Sequence, residues 1–352
     1  MRPDKPLSRI EFSVYRNYRI VHGVRIALAF VLTFMLVRGF DIPEGSWPLI
    51  TLVVVMGPIS SWGTVLPRAV QRIGGTIFGS ISGLIALKLE LISLPWMLVW
   101  CAAVMFLCGY LTLGKHPYMA LLIGITLAVV CGAPAGDMET ALWRGGDVIL
   151  GSLLALLFSS IYPQKAYTHW RIKLSDSLSS MAMLHQAGFS PNLVEQPRLA
   201  KPLQRLLGDV VKMRALLEPA SKETQIPRSV LDAIQTINRN MLCTFELQIN
   251  AWWSSRESHR IMLNAPTLRR TQQMTENTLR ALSSALLDGD TSKVAANNAE
   301  LAEISHELRQ LIRESNSQDA IETPIHGYVW LSLELTRQLG KLSDLIRLAM
   351  RK

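Results

Sequence analysis

Two stretches of this chain read alike: Thr51-Leu52-Val53-Val54-Val55-Met56-Gly57-Pro58 and Thr126-Leu127-Ala128-Val129-Val130-Cys131-Gly132-Ala133-Pro134. Both run Thr-Leu-x-Val-Val-x-Gly and then reach a proline, at once in the first and one residue later in the second. The likeness continues outward. Arg72-Ile73-Gly74-Gly75-Thr76-Ile77-Phe78-Gly79 opens the next apolar stretch after the first copy, and Arg144-Gly145-Gly146-Asp147-Val148-Ile149-Leu150-Gly151 opens the one after the second. Each is Arg-x-Gly with a further Gly five positions on. The two offsets, 75 and 72 residues, differ by less than one turn of helix. Self-similarity at a fixed spacing is the mark of a duplicated unit.

Around these copies the sequence is apolar enough for a membrane. Hydropathy gives six candidate spans, Ile20 to Val37, Trp47 to Trp62, Ala69 to Leu87, Leu91 to Leu113, Tyr118 to Cys131 and Gly146 to Ile161. A helix needs about 20 apolar residues to cross the hydrocarbon core, or about 17 with tilt and thinning. The second and fifth, which hold the repeated motif, fall short. Three spans per copy is an odd number, so the second copy lies inverted relative to the first. Inverted repeats are a construction of secondary transporters, with the substrate site near the midplane and short, Gly/Pro-interrupted segments in corresponding positions of the two halves. Non-helical chain at membrane depth is tolerated only where protein or a water-filled cavity satisfies its backbone.

Composition divides the chain at residue 162. Residues 1–162 carry 12 Lys/Arg and 8 Asp/Glu, whereas the remaining 190 carry 24 and 19. With 49% hydrophobic residues and a mean hydropathy of +0.23, the chain is neither a single soluble domain, nor disordered, nor a disulfide scaffold. Domains are expected at 1–19 (cytoplasmic segment), 20–162 (six-helix transmembrane domain) and 163–352 (cytoplasmic helical domain). Net charge +9 carries no nucleic-acid motif with it and reads as positive-inside topology. Arg2, Lys5, Arg9, Arg16, Arg19, Arg68, Arg72, Lys115, Lys165, Arg171 and Lys173 fall on one side; Arg38, Lys88 and Arg144, with Asp41, Glu44, Glu90, Asp137 and Glu139, fall on the other. Both termini are expected in the cytoplasm of a bacterial inner membrane. Cys101, Cys108, Cys131 and Cys243 have neither metal-site nor disulfide spacing.

Charged groups in a span are costly and mark function. Arg25 lies one and a half turns into the first span, with His22 on the same face. Arg72 and Arg68 stand at the cytoplasmic mouth of the third span, and Arg144 with Asp147 at the outer mouth of the sixth. Arginine stays charged and offers a fork that fits carboxylates, so several near one pathway imply an anionic substrate. Arg25, Trp47, Pro58, Arg72, Thr126 and Arg144 form the candidate substrate pathway, the alternative for the arginines being snorkelling that sets depth and for Trp47 an interfacial belt. His22 or Asp147 is the candidate proton carrier, Asp147 being alternatively the counter-ion of Arg144. Gly75, Gly79 and Gly83 make a small-xxx-small ridge, and with Gly151 are assigned to helix packing. No catalytic pair, cofactor motif or metal cluster stands out, and an enzyme is not expected.

Gly23-Val24-Arg25-Ile26-Ala27-Leu28-Ala29, Ile42-Pro43-Glu44-Gly45-Ser46-Trp47, Arg72-Ile73-Gly74-Gly75-Thr76 with Gly79, Pro117-Tyr118-Met119-Ala120 with Thr126, and Arg144 leading to Gly151 resemble the fusaric acid resistance and aromatic acid exporter family. The resemblance covers about residues 20 to 162. It implies export of aromatic or other hydrophobic carboxylic acids across a bacterial inner membrane. A distant similarity to plant malate channels keeps an anion channel open. The longer exporters carry two such membrane units, a count that a homodimer of this chain would restore.

From Gln164 onward the pattern is helical, broken near Pro191, Pro219, Pro227, Pro266, Gly289 and Pro324, and about five or six helices in a bundle are expected. Leu301, Ile304, Leu308 and Leu311, and Leu331, Leu335, Leu339, Leu342 and Leu345, recur at helical spacing. Their faces close either the monomer or a dimer. Trp252 and Trp253 are core or membrane-facing. The expected architecture is thus all-α: two inverted three-helix repeats in the membrane, then a cytoplasmic bundle. The expected function is a transporter of organic anions, proton-coupled or not; a channel and a membrane-anchored scaffold are the alternatives. Its partners would be the lipid bilayer, the anion and a second copy of the chain.

Overall fold

The computed structural model describes residues 6–57, 62–114, 116–132, 138–161, 165–193, 195–315 and 323–351. All regular elements among these described residues are helical. Pro58, Lys115, Ala133, Pro134 and Asp137, named above, lie outside them. The chain forms two compact units, one of Asn17–Lys165 and one in which the segment ending at Arg16 joins Ala166–Lys352. In chain order, α1 (Arg9–Arg16) belongs to the second unit. The first holds α2 (Tyr18–Gly39), α3 (Ser46–Met56), α4 (Trp62–Ile92), α5 (Leu94–Leu111), α6 (Pro117–Cys131) and α7 (Met138–Ile161).

Four helices of the first unit are long and apolar enough to cross a membrane: α2, α4 from Val65, α5, and α7 from Leu142. The other two are short. At 11 and 15 residues, α3 and α6 reach only about 16 and 22 Å. The second apolar stretch is shorter than its hydropathy suggests, because Gly57 takes φ 51° and ends α3. Trp62, expected to close that stretch, instead opens α4. On α2 and α5 the side chains of Leu28, Val31, Met35, Val99, Phe106 and Tyr110 are more than half exposed. Rows of exposed apolar groups on this scale are foreign to water-soluble surfaces and fit a lipid environment.

The inner helices pack in pairs. α4 lies along α6, α3 along α7, and α4 crosses to α7; α2 leans on α3, and α5 on α6. Exchanging α2–α4 with α5–α7 maps α4–α6 onto α3–α7 and α2–α3 onto α5–α6, whereas α4 packs on α5 more extensively than α7 does on α2. Glycine makes both inner pairs close. A methyl group on Gly79 would stand 2.6 Å from Thr126 Cβ, and one on Gly151 would stand 2.9 Å from Thr51 Cβ and 2.5 Å from the Pro48 carbonyl oxygen. Gly79 and Gly151 hold equivalent positions in the repeated motif, and so do Thr126 and Thr51. Gly75 meets Leu122 and Gly83 meets Val130 in the same way, so the glycine ridge of α4 runs the length of α6.

The second unit adds α8 (Ala166–Gly188), α9 (Ala200–Met213), α10 (Leu217–Thr224), α11 (Arg228–Trp252), α12 (Arg256–Leu263), α13 (Pro266–Asp288), α14 (Ser292–Ser315) and α15 (Thr323–Arg351). That is eight α-helices among the described residues, more than the five or six expected. The excess is α9, α10 and α12, of which α10 and α12 have only eight residues each. The break expected near Pro219 is the 3-10 turn Arg214–Leu216 between α9 and α10, and Pro219 sits in the first turn of α10, where a missing N–H costs nothing. Pro266 opens α13, and Gly289 closes it at φ 80°. α13 packs on α8, α11 on α15, and α14 on α15 and α13.

Leu301, Ile304, Leu308, Leu335, Leu339 and Leu342 are all buried in one apolar core, with Leu311 and Leu345 packed against it. The apolar faces of α14 and α15 are therefore closed within the monomer. Trp252 is 1% exposed in this core, and Trp253 packs on it while its indole N–H donates to the Gly188 carbonyl at 3.1 Å. The N-terminal segment joins the same body. α1 rests on α8, Tyr15 is buried with its ring 6.1 Å from that of His169, and the Leu7 N–H donates to the Leu287 carbonyl at 2.9 Å.

Candidate functional site

A small cavity lies within the first unit, lined by Trp47 of α3, Arg72 of α4, Thr126 and Val129 of α6, and Arg144 and Val148 of α7. It therefore sits where the α4–α6 pair faces the α3–α7 pair. Four of the six pathway residues named from the sequence, Trp47, Arg72, Thr126 and Arg144, are brought together here. The free volume is ≈ 10 Å³, about enough for one water molecule.

Arg72 is 3% exposed. Its Nη2 donates to Thr51 Oγ1 at a long 3.5 Å, and its Nε has no hydrogen-bond partner. The α4 helix begins ten residues earlier, so about 15 Å of helix precede Arg72. This places it well inside the unit and away from the helix end. Arg144, at the equivalent repeat position, is better held. Nη1 donates to the Val129 carbonyl at 2.9 Å, and Nε pairs with Glu44 Oε2 at 3.3 Å. Each arginine thus reaches the short helix of its own half, Arg72 to α3 and Arg144 to α6.

The counter-ion of Arg144 is Glu44 and not Asp147. A helical side chain leans back toward the N-terminus of its helix, which carries Arg144 toward the loop holding Glu44 and away from a residue one turn further on. Asp147 is 2% exposed, and its Oδ2 has no hydrogen-bond partner. Tyr118, at the start of α6, lies in the field of both Arg72 and Arg68, with its buried hydroxyl unpartnered. The Arg68 guanidinium packs against Gly57, where a methyl group would meet Nη1 at 2.5 Å.

Arg25 and His22 are on α2 and do not line the cavity. The His22 ring stacks on Tyr18 at 5.7 Å and lies against the Gly57 backbone, with Arg25 beside it. Pro58 lies outside the described residues. Among the described residues no group of three or more His, Cys, Asp or Glu is placed to hold a metal ion. Sequence reasoning passed over Thr51, Glu44 and Tyr118 as site residues. Thr51 had a signal, since it is the repeat mate of Thr126; Glu44 and Tyr118 are separated from their arginine partners by 100 and 46 residues, and no local pattern connects them.

The family model described as fusaric acid resistance protein family matches residues 19–349. The chain is 60% identical over 352 residues to the inner membrane protein YeeA of Escherichia coli (strain K12), covering 100% of both. It is also 31% identical over 138 residues to the uncharacterized protein slr1298 of Synechocystis sp., covering 38% of this chain and 18% of that one.

Proposed function

The chain belongs to the fusaric acid resistance protein family, and on that premise we propose that it is an inner-membrane secondary transporter exporting aromatic or other organic carboxylates. The observation that carries this reading is the buried guanidinium of Arg72, held by a single long hydrogen bond in a cavity it shares with its repeat mate Arg144. A buried charge short of partners costs several kcal/mol. A carboxylate arriving there supplies the missing acceptors in the geometry the guanidinium favours. Trp47 offers a ring face to the apolar part of such a substrate.

The two halves act as inverted repeats in this reading. That the N-terminal segment and the C-terminal helices form one body supports an even number of crossings between them, and the excess of Lys and Arg beside them supports the cytoplasmic side. The cavity would admit one water, whereas small-molecule sites occupy roughly 300–1,000 Å³. Transport then requires opening. The glycine-locked pairs α4–α6 and α3–α7 are the stiff bodies, and the opening runs between them, through the cavity. Asp147 and His22 are the groups proposed to carry a coupled proton.

Proteoliposomes loaded with a pH dye and offered a panel of aromatic carboxylates test the proposal. Wild-type vesicles move the acid and protons together, whereas Arg72→Gln and Arg144→Gln lose most of the flux. Flux that follows the anion gradient without proton movement makes the protein a channel. Flux unchanged in both variants removes the arginines, and the argument built on them.

A further inference from the structure

Two thiols meet inside the first unit where their spacing in the sequence gives no sign of it. Cys101 of α5 and Cys131 of α6 are 30 residues apart, yet their side chains are in hydrogen-bond contact. Both are free and half-buried. The helix register explains the meeting. A methyl group on Gly124 of α6 would stand 3.2 Å from Met105 Sδ and 3.9 Å from Cys108 Cβ of α5. A disulfide spans a Cβ separation of about 3.5–4.5 Å, so the two helix surfaces already run at that spacing. Seven residues make nearly two helical turns and return to the same face. Seven residues on from Gly124 is Cys131, and seven back from Cys108 is Cys101. On antiparallel helices the two cysteines therefore fall opposite each other.

The pair sits toward one end of the unit. Cys131 is the last residue of α6, and Gly132 caps it. Glu90, two residues before the end of α4 at Ile92, lies within electrostatic reach of Cys131. The ends of α4 and α6 come together there, and the carboxylate marks a level that water reaches. In the orientation proposed above this end opens outside the cytoplasm, where disulfides persist.

We infer that Cys101 and Cys131 are a redox-active dithiol, which an external disulfide oxidises to a staple between α5 and α6. One thiolate of the pair attacks a sulfur of that disulfide, forming a mixed disulfide and expelling the first thiol. The second cysteine then displaces the remaining foreign sulfur as the Cys101–Cys131 bond forms. Two electrons pass from the cysteines to the external disulfide, and the two cysteine protons leave on its two thiols. The product fixes α5 to the α4–α6 pair and holds the last turns of α6, where the Val129 carbonyl accepts from Arg144. The reactivity of the pair rests on the helix register alone; its oxidation in the cell rests also on the orientation proposed above.

Dithiodipyridine, a small apolar disulfide that releases coloured thiopyridone, tests this on the full-length chain in detergent micelles. Cys243→Ser serves as the parent, because it removes the exposed thiol of the second unit. The parent should release two thiopyridones per reagent molecule consumed, and mass spectrometry after trypsin should find residues 89–115 joined to residues 116–144. Adding Cys101→Ser or Cys131→Ser halves the yield to one thiopyridone per reagent molecule and removes the link, while adding Cys108→Ser changes neither. One thiopyridone per reagent molecule in the parent, a link that survives Cys101→Ser, or a link only between two copies of the chain on a non-reducing gel would each overturn the assignment, and none of these results depends on transport. In intact cells, trapped with acid and then alkylated, the same link is expected in the wild-type chain. A pair that closes in micelles and stays reduced in cells overturns its oxidation outside the cytoplasm.

Discussion

Replacing Gly151 by Ala wedges a methyl group into the α3–α7 contact. It would lie 2.5 Å from the Pro48 carbonyl oxygen and 2.9 Å from Thr51 Cβ, where carbon atoms ordinarily rest about 3.5 to 4.0 Å apart. The nearest atoms are backbone and a β-carbon, so no side-chain rotation relieves the clash and the helices must part by about 1 Å. Overpacking of this kind costs about 1–3 kcal/mol. Better helix propensity returns up to about 1 kcal/mol. With the full propensity gain the net loss is then about 0–2 kcal/mol. Gly79→Ala in the α4–α6 contact, 2.6 Å from Thr126 Cβ and 2.8 Å from the Ile123 carbonyl oxygen, should lose the same amount. Gly146, five residues before Gly151 on the same helix, has nothing within 4 Å of an added methyl group. Gly146→Ala gains only the propensity term, which the two share, so the neighbours differ by the overpacking cost of about 1–3 kcal/mol. Reversible unfolding in mixed micelles of mild detergent and dodecyl sulfate, followed by tryptophan fluorescence, measures all three variants. If Gly151→Ala matches Gly146→Ala, or if Gly79→Ala and Gly151→Ala shift in opposite directions, the paired-interlock reasoning is wrong.

Arg72→Met should separate stability from activity: removing a poorly partnered buried charge raises the unfolding free energy by about 1–4 kcal/mol, while carboxylate flux in proteoliposomes falls. Tyr15→Ala should undock α1, whose eight residues are too few to hold a helix alone, and amide exchange across residues 9–16 should rise with α2 unchanged. The pH dependence comes from His169. Burial, with Lys173 beside it, pushes that imidazole down to about 4, so the unfolded chain binds its proton first as pH falls from 6.5. Folding stability contributed by the neutral ring is therefore complete above about 6.5 and drains away toward 4, and His169→Gln should flatten the denaturation profile across that window.

Much of the membrane unit was readable because its constraints are local. The apolar runs and the glycine spacing repeat within a few turns, and the offsets of 75 and 72 residues connect two halves that pack as equivalent pairs. Where the reading failed, the cause was a partner distant in sequence or a backbone choice at one residue. The end of α3 depends on a positive φ at Gly57, which hydropathy does not register. Arg144 chose Glu44 over Asp147 because a helical side chain leans backward, and the 100-residue separation hides that partner from any window. In the second unit, α10 and α12 have eight residues each, too few for periodicity to show.

By itself the sequence determined that the first half is far more apolar than the second, that two stretches of the first read alike, and that arginines and glycines fall at matching places around them. Hydrophobicity and helical period act over short stretches, and composition alone reports them. Only the tertiary structure decided that Arg72 and Arg144 line one cavity, that each motif threonine receives the glycine of the opposite half, and that the N-terminal helix belongs to the C-terminal body. Those outcomes depend on which surfaces come within van der Waals reach, and close packing selects them from alternatives that the sequence leaves equal.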